Sequence, residues 1–452
     1  METTYPAQHV ETTRQPASEA AQLGEALVGI DKLIYGGDGL GRLENGQVVF
    51  VPWSAPGDSL KIDLQPGKPL RGKISEIQQA SPLRIEPKCS VFGQCGGCNW
   101  QHINGEAQRD WKKQIVEESL QRIGKLPSVT VLPTLGEDAS GWSYRNRVQW
   151  DVDSRNPQSV KLGYHAAQSS EIVEFDRCHI IPDDFNALAL QIRGLLTQNP
   201  GLAQGLKRIE ALRNEAGQIL LILESVNRKA CQSLAETLSE AVSTLMGVSY
   251  RNPIKSNAPL VTLCGQSYLQ ETLGERRYKI SAGSFFQTNM HGARQLLGVL
   301  DAALLPDATS LLDLYAGVGV FALHFSHKVA RVLAIESAPT AAADARDNIR
   351  LNQAQNVSLQ RGDARLALKG TQENFDVAIV DPPRAGCTPD VLTWLSQHVQ
   401  RQLLYVSCNP TTLARDLKAL TESGWQVDSV QPIDMFPQTY HVECVARLSR
   451  PE

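Results

Sequence analysis

No stretch of the 452-residue sequence approaches the ~18 consecutive apolar residues that a membrane-spanning helix needs, so no membrane partner is expected. The opening METTYPAQHVETTRQPASEAAQ has no apolar core, and a secretory leader is not expected either. An excess of positive charge is missing: 44 Lys and Arg stand against 48 Asp and Glu, a formal net of −4. That balance argues mildly against a non-specific nucleic-acid coat. No internal repeat and no low-complexity block occur, which excludes repeat arrays. The nine cysteines are odd in number and lack an oxidising context. A cytoplasmic home with reduced thiols follows, where clustered Cys reads as metal binding or catalysis rather than as disulfides.

What is present is a globular composition, 42% hydrophobic and 20% charged. The length predicts two to four domains, each burying its own core. Residues 1–20 read as a disordered tail. Residues 21–80 alternate apolar and polar positions between Gly-Gly-Asp-Gly, Asn-Gly and Pro-Gly turns, which predicts a small β-barrel; the edge of a β-sandwich is the alternative. Residues 81–280 hold a cysteine-rich stretch, a helix over 106–123 and a mixed α+β region. Residues 281–452 alternate strand-like runs (LLDLY, VLAIE, VSLQ, DVAIVD, QLLYVS) with helical ones, the β-α-β rhythm of a doubly wound sheet.

Chemistry concentrates in the last third. Leu311–Gly319 reads as a buried strand ending in a Gly-x-Gly turn at Gly317 and Gly319, where backbone can approach a ligand closely. The third glycine of the dinucleotide fingerprint is missing, which disfavours NAD. Acids then stand at successive strand ends: Glu336, Asp363 and Asp381. Acids in that series without a phosphate cradle fit an adenosine ligand lacking phosphates, such as S-adenosylmethionine. Any one of them alone reads equally well as a helix cap.

Cys408 follows the apolar run Leu403–Val406 and precedes Asn409-Pro410-Thr411-Thr412. With Thr411 or Thr412 as the cap of the next helix, the thiol sits at a strand's carboxyl end beside a helix amino end, which favours thiolate. A buried inert cysteine is the commoner alternative. Glu443, between apolar neighbours in VECVARL, has the setting of a carboxylate with a raised pKa, able to accept a proton; a solvent-facing edge position is the alternative. Thiolate, methyl donor and base together suggest uracil C5 methylation. Thiolate addition at C6 makes C5 nucleophilic, and a base later removes the C5 hydrogen.

Three thiols lie close together in Cys89-x5-Cys95-Gly-Gly-Cys98, and Cys178 is the best candidate for a fourth ligand. Four thiolates suit zinc or an iron–sulfur cluster, and the long first spacing tips the balance slightly to iron–sulfur.

Asp381-Pro-Pro-Arg-Ala-Gly386, Ser407-Cys-Asn-Pro410, Phe285-Phe-Gln-Thr-Asn289 and the late Glu443 resemble the RNA uracil-5-methyltransferase family. The resemblance implies Cys408 as nucleophile, Glu443 as base, and methyl-donor contacts from Gln287, Tyr315, Gly317, Glu336, Asp363 and Asp381. It also implies a 4Fe–4S cluster on Cys89, Cys95, Cys98 and Cys178, and an OB-like TRAM barrel that binds RNA. Barrel and cluster together favour 23S ribosomal RNA over tRNA as substrate, although some relatives with both act on tRNA. Val320 departs from the Asn many relatives carry there. The implied fold is multidomain: the barrel, a mixed α+β central domain with the cluster, and a Rossmann-like class I methyltransferase domain, acting as a monomer.

Two other readings are weaker. An exocyclic-amine methyltransferase needs an aromatic where Arg384 stands, and a non-catalytic RNA-binding scaffold leaves Cys408 and Glu443 without work. Residues 61–125 hold 11 basic and 7 acidic side chains, so a local positive excess falls on the end of the barrel and the cysteine stretch.

Overall fold

The structure, a computed structural model, describes residues 24–137, 141–156, 159–254 and 259–450. The expected disordered tail lies outside them. The chain divides into two compact units. One holds the chain up to Ile34 and Asp38–Leu83; the other holds Tyr35–Gly37 and the chain from Arg84 onward.

The first unit is a closed five-stranded barrel. Its strands are β1 (Glu25–Leu33), β2 (Gly39–Arg42), β3 (Val48–Val51), β4 (Ser59–Gln65) and β5 (Arg71–Gln79), in spatial order β1-β2-β3-β5-β4. Alternate residues point inward, so Val28, Ile30, Val49, Val51, Leu60 and Ile62 fill the interior. Closure removes the free edges a sandwich would leave.

The second unit begins with the cysteine segment and helix α1 (Gly105–Ser119), capped by the Asn104 side chain, which accepts from Ala107 N–H at 2.9 Å. The helical spacing of Trp111, Ile115, Leu120 and Ile123 predicts an apolar stripe, and the buried face matches it only in part. Ile115 and Leu120 are buried, but Ile123 is exposed, and the polar Gln108 and Lys112 face inward instead. A π-helical turn, Leu120–Gly124, follows, and then the short strand β6 (Thr130–Val131).

A seven-stranded sheet comes next, formed by β7 (Arg147–Asp153), β8 (Lys161–His165), β9 (Ile172–Val173), β10 (Leu206–Arg213), β11 (Ile219–Ser225), β12 (Leu245–Arg251) and β13 (Val261–Gly265). Helices α2 (Asp183–Gln198) and α3 (Arg228–Ala241) pack into its core with Val148, Trp150, Ile209 and Leu221. A hairpin, β14 (Tyr268–Leu273) and β15 (Arg276–Ser281), leads into the last sheet.

That sheet carries the α/β rhythm. Its elements are α4 (Met290–Ala303), β16 (Ser310–Leu314), α5 (Val320–Phe325), β17 (Arg331–Glu336), α6 (Pro339–Leu351), β18 (Val357–Arg361), α7 (Ala364–Lys369), β19 (Phe375–Val380), α8 (Pro389–His398), β20 (Val399–Ser407), α9 (Pro410–Glu422), β21 (Gln426–Ile433) and β22 (Glu443–Ser449). The strand order is β18-β17-β16-β19-β20-β22-β21-β6. The five strands from β18 to β20 run parallel, and β22 enters antiparallel between β20 and β21. Two apolar layers cover the sheet, which is why β16 and β19 are nearly continuous hydrophobic runs. The chain order reverses between β16 and β19, and such a switch point opens a crevice at the strands' carboxyl ends.

Helix α1 is tied to this sheet by a buried ion pair. Lys112 Nζ lies 2.5 Å from Asp434 Oδ1, and both side chains are almost fully buried. Burial pushes the Lys112 pKa down, and Asp434 opposes that shift. Breaking one half of such a pair strands a charge. Lys112→Met is expected to cost about 3–5 kcal/mol, and adding Asp434→Leu to restore most of it. Urea unfolding midpoints check this; equal losses in the single and double variants would contradict the buried-charge account.

Candidate active site

The crevice is built from the strand ends. After β16 the chain turns through Tyr315, Gly317 and Gly319, all in the left-handed region at φ of 69°, 58° and 88°. Glycine adopts this freely, whereas Tyr315 must be held there. The turn is pinned by Glu336 at the end of β17. Its Oε2 accepts from Gly317 N–H at 2.8 Å and its Oε1 from Ala338 N–H at 2.6 Å. Each oxygen keeps a further lone pair for a ligand.

Gln287, Tyr315, Gly317 and Asp381 line one cavity, with Phe286, Val318 and Val320 among its apolar walls. Glu336 joins this group through Gly317. Asp363 does not line the cavity. It caps α7, accepting from Arg365 N–H at 3.0 Å, so the plain capping role accounts for what the structure shows of it. One acid escaped the sequence reading. Asp313 is fully buried within β16; its Oδ2 accepts from Ala322 N–H at 2.8 Å while its Oδ1 has no partner. Burial raises its pKa to about 7. A strand-interior acid in an apolar run was the signal available for it.

Cys408 follows β20, and Asn409 rather than Thr411 or Thr412 caps α9, accepting from Thr411 N–H at 3.1 Å. Proline at the first helical position forces this frame, because it needs no N–H partner there. The antiparallel register sets Ser407 opposite Cys444, so Cys408 and Glu443 flank one point on adjacent strands. The Asp381–Arg384 loop closes the other side. Arg384 C=O accepts from Asn409 Nδ2 at 3.1 Å and from Thr412 Oγ1 at 3.2 Å, and its guanidinium bonds to Cys408. Below it, Asp416 Oδ2 accepts from Cys387 N–H at 2.8 Å and from Tyr405 O–H at 2.6 Å. Gly386 sits in the left-handed region there, and a Cβ would meet Asp416 Oδ2 at 2.5 Å. Cys387 is buried in this network, away from solvent.

The electrostatics oppose charge. The Cys408 thiol is pushed up to about 11, by burial first and then by Glu443; Arg384 pulls it down. The expected helix-end preference for thiolate is therefore outweighed. Glu443 is raised well above the carboxylate range by burial and by Asp381. Asp381 is itself raised by burial. His441, whose ring nitrogens lie 3.5 Å from Arg384 Nη2, is lowered to about 4 by burial and then by Arg384, so it stays neutral. Arg384 as a neighbour of the thiol, and His441 as a neighbour of Arg384, were not foreseen, since no local pattern links them.

Cys89, Cys95, Cys98 and Cys178 line a second cavity of about 320 Å³, with Arg145, Arg177 and Thr288. Burial is the largest effect raising the Cys95, Cys98 and Cys178 thiols, to about 12 for Cys98 and about 11 for Cys178. Among the described residues, no group of three or more His, Cys, Asp or Glu is arranged to hold a metal ion, so the expected metal centre is not shown. No helix among them is long and apolar enough to cross a membrane.

The thiol's surroundings are testable. The pH midpoint of Cys408 alkylation, measured against a Cys408→Ser background, is expected to move upward in Arg384→Met, because both the charge and the hydrogen bond of Arg384 favour thiolate. A midpoint that stays put or falls contradicts the assignment.

Comparison with known proteins follows the same lines. A relative in Halalkalibacterium halodurans named as an RNA methyltransferase is 33% identical over 445 residues, covering 93% of this chain and 96% of its own. Another, in Synechocystis, is 34% identical over 439 residues, covering 93% and 94%. The solved structure of a Pyrococcus abyssi tRNA (uracil-54, C5)-methyltransferase, determined with S-adenosyl-L-homocysteine, matches 93% of this chain and 99% of its own, at a TM-score of 0.70 and 24% identity. At that identity the likeness shows the fold: a multidomain α/β methyltransferase architecture with an amino-terminal closed barrel. Residues 138–451 match the model of the tRNA (uracil-5-)-methyltransferase family, and with these relatives they show that the chain belongs to that family of RNA methyltransferases.

Proposed function

We propose that the protein methylates carbon 5 of a specific uridine in RNA with S-adenosylmethionine as donor, and that Cys408 and Glu443 carry the chemistry. The observation behind this reading is their meeting across the β20–β22 pair beside Asp381 and Arg384. The donor would lie in the cavity of Gln287, Tyr315, Gly317 and Asp381, with Glu336 at its edge and Asp363 further out. Asp381 on the cavity wall, with Glu336 bonded to the lining Gly317, suits a cationic ligand. When bound, the donor supplies a methyl group on a positively charged sulfur.

The residues of the chain divide the work. Arg384 favours the Cys408 thiolate, which adds to C6 of the uracil and leaves an electron pair delocalised onto C5. Carbon 5 takes the methyl group with that pair. Glu443, as carboxylate, removes the hydrogen from C5; the released pair reforms the C5–C6 double bond and expels the Cys408 thiolate. Positive charge beside Asp381 favours the ionised form of the acids, which brings Glu443 toward use as a base near neutral pH.

The cysteine cavity supports a 4Fe–4S cluster on Cys89, Cys95, Cys98 and Cys178. The four thiols line one cavity with Arg145, while Arg147 and Arg177 on its wall are paired with Glu210 and Asp183. Its role would be to fix the segment around it. The barrel would bind RNA. We favour 23S ribosomal RNA as substrate and a cytoplasmic monomer as the working form. A tRNA substrate is the second reading, favoured by the name of the matching family. Mapping 5-methyluridine in total RNA from a strain lacking the gene decides between them.

RNA containing 5-fluorouracil, with the donor present, is expected to trap the protein covalently, because fluorine cannot be removed as a proton. Trapping that survives Cys408→Ala, or no trapping at all, overturns the mechanism. Anaerobically purified protein is expected to be brown and to hold about four iron and four sulfide per chain; a colourless preparation with zinc contradicts the cluster.

A further inference from the structure

The loop between β21 and β22 delivers Glu443, and its backbone is held in an unusual way. Four consecutive carbonyls are each claimed by a distant part of the chain. Met435 C=O accepts from Asn289 Nδ2 at 3.0 Å, and Phe436 C=O from Lys112 Nζ at 3.1 Å. Pro437 C=O accepts from Tyr144 O–H at 3.1 Å, and Gln438 C=O from the N–H groups of Asn99 and Trp100, both at 3.0 Å. Gln438 is buried and sits at φ of 69°, a left-handed conformation that costs a non-glycine residue energy unless its surroundings impose it. The partner that imposes it is Gln108 of α1. Gln108 Oε1 accepts from Gln438 N–H and Gln108 Nε2 donates to Gln438 Oε1, each at 3.0 Å.

None of these groups has a place in the chemistry described above, and all of them reach one loop. Cys408 is held differently, by the Asn409 cap and the Arg384 carbonyl. The nucleophile and the base share the β20–β22 pairing, but the loops next to them have different supports. We propose that the Gln108–Gln438 pair, with Lys112 and the Asn99–Trp100 amides, is a positioning strap that sets Glu443 for removal of the C5 proton. The inference rests on the reading of Glu443 as the base. It gives the cysteine segment a part in catalysis, because Asn99 and Trp100 directly follow Cys98: the segment's fold is read out at the proton-removal step rather than at thiolate addition.

The strap and the nucleophile separate kinetically. Adduct formation with 5-fluorouracil RNA needs Cys408 and the donor but no base, whereas product release from ordinary RNA needs the base. Gln438→Gly keeps the carbonyl that Asn99 and Trp100 use and relieves the left-handed strain, so it is the variant safest for folding; Gln108→Leu removes the pair from the other side. Both are expected to form the fluorouracil adduct at the wild-type rate. Both are expected to release methylated product on the order of 10- to 100-fold more slowly, with methylated RNA accumulating on the enzyme. The strap is overturned if adduct formation and release slow together, as a general loss of structure would cause, or if release is unchanged. Glu443→Gln run alongside tests the underlying reading: if it too releases product at the wild-type rate, the base assignment fails instead.

Discussion

The antiparallel pairing of β20 with β22 is the constraint on which the rest of the site depends. It sets Ser407 against Cys444 and so brings the residue after β20 and the first residue of β22 to one place. A slip of one residue would turn every side chain of β22 to the opposite face and carry the Glu443 carboxylate away from the crevice. The register is protected by what surrounds it. Strand β22 lies between β20 and β21, so both of its edges are paired, and its neighbours Cys444, Val445 and Ala446 are packed in the core.

Burial sets the electrostatic character of the molecule. Asp313, Asp381 and Glu443 are all held toward neutrality by desolvation, and so is the Cys408 thiol. A site that suppresses its own charges fits the proposed chemistry, in which a cationic donor and Arg384 supply the compensating charge. The same logic applies to the cysteine cavity, where burial disfavours thiolates and arginines line the wall.

The sequence was legible where structure is local. The runs that became β16, β19 and β20 are apolar because both faces of the sheet are covered, and the Gly-x-Gly turn follows from the left-handed backbone after β16. What stayed hidden needed partners far away in sequence. Gln108 and Lys112 look like the solvent face of α1, yet they are buried because Gln438 and Asp434 wait for them more than three hundred residues later. Arg384 likewise meets Cys408 and His441 only through the fold. The helix end beside Cys408 is visible in sequence, whereas the desolvation that raises its thiol is not. Asp363 was read as one of a series, and the structure shows it occupied with its own helix.

The account stands on the claim that the C5 hydrogen of uracil is exchanged for a methyl group. RNA carrying tritium at C5 of its uridines measures this directly. One tritium is expected to appear in water for each methyl group transferred, and both are expected to vanish in Cys408→Ala. Methyl transfer without tritium release would contradict the account, because it would place the methyl group elsewhere on the RNA.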